Sequence, residues 1–168
     1  MSKGRMALLA LVAVGTIVLD QVTKTYIVDT MRLHESIQVI PDFFSITYIR
    51  NPGAAFGLLA SSSAGFRMLF FALTSIGALI LLSAILFRLP KDDWLGQFSI
   101  AAILGGAVGN LLDRLRLGEV IDFLDFYVKG YHWPAFNVAD SAISVGVFFL
   151  VLHFAFEKQE TGPATEQS

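Results

Sequence analysis

A chain of 168 residues that is 55% hydrophobic and only 15% charged, with a mean hydropathy of +0.65, has the composition of a membrane protein and not of a water-soluble domain. The formal net charge of -2 and the lack of a long basic run argue against a nucleic-acid partner. With no cysteine the chain has no disulfide, thiolate metal site, thiol nucleophile or lipidated cysteine of its own.

Crossing the hydrocarbon core takes roughly 20 apolar residues in a helix. Four segments meet that length, near 6–28, 66–88, 94–115 and 137–157. The first is apolar up to Leu19 and then carries Asp20, Gln21, Thr23 and Lys24. Lys3 and Arg5 ahead of it suit the start of a signal peptide, but no small-x-small cleavage site clearly follows, so it reads as a retained helix. Next come two stretches of strand composition, Ser36–Ile40 and Phe43–Arg50, and the turn signal Asn51-Pro52-Gly53. A small sheet resting on the membrane is their plain reading, and a lid or cradle over polar residues their functional one.

The second span has no charge from 68 to 87, and the third none from 94 to 112 before it ends in Asp113 and Arg114. The connection 115–136 reads as a surface loop. Within it, Val120-Ile-Asp-Phe-Leu-Asp-Phe126 sets two acids among apolar side chains, and Tyr131 to Phe136 form an interfacial aromatic belt. The last span opens with Asn137 and Asp140, and the polar residues 159–168 read as a disordered tail. The expected fold is therefore an all-α polytopic membrane protein: four transmembrane helices with a small extramembrane β segment and loop, forming one domain over 1–158.

Four consecutive spans alternate in direction, which brings the end of the first, the start of the second, the end of the third and the start of the fourth to one side. Asp20, Lys24, Asn110, Asp113, Arg114, Asn137 and Asp140 all fall there, so the molecule has a working side and a blank side. The distribution of Lys and Arg does not decide which side is cytoplasmic, although Lys3 and Arg5 favour an internal N-terminus.

At 100° per residue, Gly106, Asn110, Asp113 and Arg114 share one helix face, as do Asn137, Asp140, Ser141 and Ser144. Plain readings exist for each. Asp20 and Lys24 have the spacing of a helical ion pair, Asp113 with Arg114 that of a helix-end network, and Asn137 with Asp140 that of an N-cap with an acid at N3. Gly105 and Gly109 have the spacing of close helix packing. His153 reads as a packing histidine. The functional reading is that ionisable groups near hydrocarbon face a wet cavity with partners.

No metalloprotease, nucleotide or serine-hydrolase motif is present, and three scattered histidines suggest no zinc site, so neither metal nor cofactor is expected. A Ser/Lys pair using Lys24 or Lys129 has no spacing to recommend it. Carboxylates remain. Two aspartates in a low-dielectric site do not both ionise readily, so one holds a proton while its partner acts as a base toward water, the logic of aspartic proteases. A proton-coupled carrier and an assembly factor are the alternatives on residue types alone, although the acids gather at one face and trace no path across the bilayer.

Five ordered blocks make the chain closely resemble the lipoprotein signal peptidase family (signal peptidase II): Asp20-x-x-x-Lys24, Asn51-Pro-Gly-Ala-Ala-Phe56, Gly109-Asn110-Leu-x-Asp113-Arg114, Val120-Ile-Asp122-Phe and Phe136-Asn137-x-Ala-Asp140-Ser141. The resemblance covers essentially residues 6–157. It implies a four-span aspartic endopeptidase of the bacterial cytoplasmic membrane, with both termini and the tail cytoplasmic and the site near the outer leaflet; a monomer is expected. It further implies catalysis by Asp122 and Asp140, on prolipoproteins that carry diacylglyceryl on the lipobox cysteine and are cut just before it. Asn51, Asn110, Asp113, Arg114 and Asn137 are then expected to line or support the site, with Asp20 and Lys24 supporting. Asp125 does not match the catalytic position. Two expectations about shape follow: Gly105, Gly106 and Gly109 leave room for acyl chains of membrane-held substrate, and residues 36–57 clamp the signal peptide.

Overall fold

In a computed structural model that describes residues 2–53 and 62–160, each apolar segment becomes a helix. Helix α1 (Lys3–Thr30) starts on Ser2, α2 (Ala64–Arg88) on Ser63 and α3 (Trp94–Leu117) on Asp93; each cap's side chain accepts a first-turn amide. Gly118 closes α3 in the left-handed region at φ 74°, where a residue without Cβ is unstrained. Helix α4 (Val138–Glu160) follows Asn137. It runs two residues into the stretch predicted as a tail, the rest of which (161–168) lies outside the described residues, as do 54–57 of the predicted clamp.

All four helices are long and apolar enough to span a membrane. They are not equivalent. Helix α3 is the axis: it packs against each of the other three, and eleven of its residues are buried. Helix α2 buries only Ala72, and much of its apolar surface faces outward, where hydrocarbon is the solvent.

The glycines of α3 explain the close approach. A Cβ on Gly105 would lie 2.7 Å from the Ala13 carbonyl oxygen of α1, and one on Gly109 would lie 2.6 Å from Asp20 Oδ2. A Cβ on Gly106 would run into the Ala139 carbonyl oxygen of α4. These positions are filled by neighbouring helices, so the packing reading holds and the expected room for acyl chains is not there. Gly106 in particular sits at a helix contact and does not border the main cavity.

Over one end of the bundle lies an antiparallel sheet in the order β1 (Ser36–Ile40), β2 (Phe44–Asn51), β3 (Val120–Val128), β4 (Tyr131–His132). The first two strands fall where composition placed them. The third is a correction: residues expected to form part of a loop are a nine-residue strand. Both of its faces are covered along Val120–Phe123, which erases the apolar–polar alternation that marks a half-buried strand. Ile121 and Phe123 pack with Ile27 of α1, with Met31 just after that helix and with Tyr48 of β2, tying sheet to bundle. At the opposite end His153 Nε2 of α4 lies 3.0 Å from Asp93 Oδ2, joining α4 to the start of α3 instead of simply packing.

Candidate active site

Residue parity along β3 separates its two acids. Asp122 alternates with Ile121 and Phe123, so it faces away from their cluster, whereas Asp125 lies on the opposite face from Asp122. There Asp125 accepts from His132 Nδ1 at 2.9 Å. Asp122 meets the end of β2: Asn51 pairs with Val120, which makes Asn51 and Asp122 diagonal neighbours on one face. Asn51 Nδ2 donates to Asp122 Oδ2 at 3.0 Å, and its Oδ1 accepts the Gly53 amide at 3.0 Å, fixing which way the amide points.

The second carboxyl is supplied by the start of α4. Asn137 is its N-cap, with Oδ1 accepting the Asp140 amide at 2.9 Å, and Asp140 Oδ2 receives the Asn137 amide at 3.3 Å in return. This reciprocal pair is a capping box. The cap reading and the functional reading are therefore both right, because the same Asn137 side chain turns its Nδ2 to Asp122 Oδ1 at 2.8 Å. One amide starts the helix that carries Asp140 and holds the acid on the strand.

Asn110 of α3 completes the frame. Its Nδ2 donates to Asp140 Oδ1 at 2.7 Å, and its Oδ1 accepts from Lys24 Nζ at 2.9 Å and from Asn137 Nδ2 at 3.2 Å. An ammonium only donates, so Lys24 dictates the orientation of the Asn110 amide. Lys24 itself is buried, 2.8 Å from both Asp20 and Asp113. Asp20 Oδ1 accepts the Ala139 amide at 2.9 Å, and Asp113 Oδ2 the Ile121 amide at 3.2 Å. The supporting acids thus grip the backbone next to each of the two facing acids.

The predicted face of α3 is divided. Asp113 turns to α1, Asn110 lies between, and Arg114 reaches the cavity, its guanidinium 5.5 Å from the centre of the Phe71 ring. One participant escaped the sequence reading. Gln21 Nε2 donates to Asp20, to Asp113 and to the Gly109 carbonyl at 3.0–3.2 Å. Its position beside Asp20 and one turn from Lys24 was the available signal.

Asp122 and Asp140 open onto one cavity of about 580 Å³ that also touches Asn51, Arg114, Phe136 and Ser141. A second space of about 330 Å³ between α2, α3 and α4 borders Asp140 and Arg114 and descends past Ala78 to Leu82 and Ile103. Burial pushes the Asp122 carboxyl up to about 7, reinforced by the neighbouring charge of Asp140 and opposed by the donors Asn51 and Asn137. All four carboxyl oxygens of the pair accept amide hydrogen bonds, and the pair faces space large enough for water and a peptide. That arrangement suits general acid–base attack by water.

The family model for signal peptidase (SPase) II matches residues 12–156. The chain is 53% identical to a lipoprotein signal peptidase of Syntrophus aciditrophicus over 157 residues, covering 91% of this chain and 96% of that protein. It is also 53% identical to one of Geobacter sulfurreducens over 152 residues, covering 90% and 94%. A solved bacterial membrane enzyme superimposes with a TM-score of 0.80 at 35% identity, covering 96% of this chain and 95% of that one.

Proposed function

The chain belongs to the signal peptidase II family and removes signal peptides from prolipoproteins in a bacterial membrane, and on that premise we propose that Asp122 and Asp140 perform the hydrolysis. The observation that carries this reading is the common amide: Asn137 holds Asp122 through Nδ2 and caps the helix of Asp140 through Oδ1, over one cavity. Asp122 holds the shared proton, which leaves Asp140 as the base that draws a proton from water as it attacks the peptide carbonyl. Asp122 donates to the carbonyl oxygen, and the pair returns a proton to the departing amine. The titration belongs to the pair. Asn51, Asn110 and Asn137 orient the two acids, Arg114 offers donors to the substrate, and Asp20, Lys24 and Asp113 fix the frame.

The scissile bond lies just before the S-diacylglyceryl cysteine of the lipobox. The two adjoining spaces support this, since a substrate with a peptide arm and lipid arms needs a polar opening beside an apolar descent. Both acids come from one chain, so a monomer completes the site. The protein sits in the cytoplasmic membrane with both termini inside and the sheet at the outer leaflet. The test is purified protein with a lipobox peptide, diacylated or unmodified. Cleavage before the cysteine of the diacylated peptide, lost in Asp122→Asn and Asp140→Asn, is expected. Retained cleavage by either variant overturns the dyad.

A further inference from the structure

A second groove, between α1 and α3, shares no lining residue with the Asp122–Asp140 cavity. It measures about 460 Å³, with Ile17, Val18 and Val22 of α1 and Leu112 of α3 along it and Arg116 at its sheet end. Val18 and Val22 are 54% and 60% exposed on a helix that crosses the bilayer, so what they face is acyl chain. A smaller space of about 180 Å³ continues past Arg116 and Gln21 toward Ile121. The groove is therefore apolar along the membrane and cationic where it emerges.

Arg116 lies two residues after Arg114, and successive side chains at that spacing point to different sides of a helix. Arg114 serves the reaction cavity; Arg116 lines the groove. The Arg116 guanidinium donates to Gln21 Oε1 at 3.2 Å, and among the described residues it has no carboxylate within ion-pair distance. Gln21 is anchored in turn on Asp20, Asp113 and the Gly109 carbonyl, so the cation is held over the head of the groove by a fixed partner. A guanidinium steadied in this way keeps further N–H groups for the oxygens of a phosphate.

We propose that this groove holds one glycerophospholipid of the surrounding membrane, an acyl chain lying along Ile17, Val18, Val22 and Leu112 and the headgroup phosphate paired with Arg116. The complementarity is of both shape and charge: apolar length below, one cation above. An arginine that merely extends to water would require neither the groove nor the clasp to Gln21.

Native mass spectrometry of the full-length protein released from detergent micelles tests this, with phosphatidylglycerol, diacylglycerol or inorganic phosphate added. The wild-type chain is expected to keep one phosphatidylglycerol and to keep diacylglycerol poorly. Arg116→Gln should retain about fivefold less phosphatidylglycerol. Val22→Trp, which fills the groove and leaves the cation, should lower retention as well. Equal retention by the wild type and both variants overturns the proposal. So does equal retention of diacylglycerol, or displacement of the lipid by inorganic phosphate, which marks a site for a free anion.

Discussion

Two pairs of acids sit within one hydrogen-bond network here, and they are built on opposite plans. Asp20 and Asp113 are each 2.8 Å from the Lys24 ammonium, and each also accepts a backbone amide, of Ala139 and of Ile121 respectively. Among the described residues no cation lies within ion-pair distance of Asp122 or Asp140; neutral amides of Asn51, Asn110 and Asn137 hold them, and they face a cavity. An ammonium within ion-pair reach occupies a carboxylate's lone pairs in structure, whereas amides fix a carboxyl's position beside a cavity and leave it open to reaction. Residue type alone does not distinguish a structural aspartate from a reactive one. The partner does.

Substitutions sharpen that contrast. The largest loss of activity belongs to Asp122→Asn and Asp140→Asn, which keep shape and remove proton transfer: cleavage should fall about 10²–10⁴-fold while the unfolding midpoint in detergent is maintained. The opposite signature belongs to Lys24→Met. It strands two buried carboxylates, so a loss of about 3–5 kcal/mol of stability is expected, read as a lowered unfolding midpoint that precedes any kinetic comparison. If Lys24→Met unfolds no earlier than wild type, the contrast between the two acid groups fails.

Gly106→Ala drives a methyl group into the Ala139 carbonyl at the helix contact, at a cost of about 1–3 kcal/mol, measured by the same unfolding scan. The dependence on pH is subtler. Asp122 keeps its proton until about pH 7, so activity should decline as pH rises through that value. Asn51 donates to the charged form and holds the carboxyl down; Asn51→Ala therefore moves the alkaline limb of the profile to higher pH, a displacement that a purely structural role for Asn51 would not produce. The smallest effect belongs to Asp125→Asn. Its half-exposed His132 partner and its place on the other face of β3 predict activity within about twofold of wild type.

Much of this contrast was legible beforehand, and the physics says why. The spans announce themselves because hydrocarbon tolerates few charges, and the working side follows from counting reversals of direction. Asp20-x-x-x-Lys24 is visible because helical geometry makes it a pair. The strand carrying Asp122 was hidden because it is buried on both faces, and the links from Asn51 to Asp122 and from Asn110 to Asp140 join residues tens of positions apart. The glycines were read both for packing and for space, and they provide contact: a missing side chain looks the same in a sequence whether a ligand or a neighbouring helix fills the gap. Gln21 belongs to no motif, and only its place beside Asp20 and one turn from Lys24 pointed to it.

The double duty of Asn137 carries a consequence for how the protein fails under heat. Fraying of the first turn of α4 would take one of its two amide donors from the strand acid as it loosens the helical one, so with these as the proposed pair, loss of catalysis should accompany the opening of that turn. Amide hydrogen exchange at Asp140 and Ser141 should therefore accelerate at the temperature where turnover collapses, ahead of the bilayer-embedded remainder of the bundle.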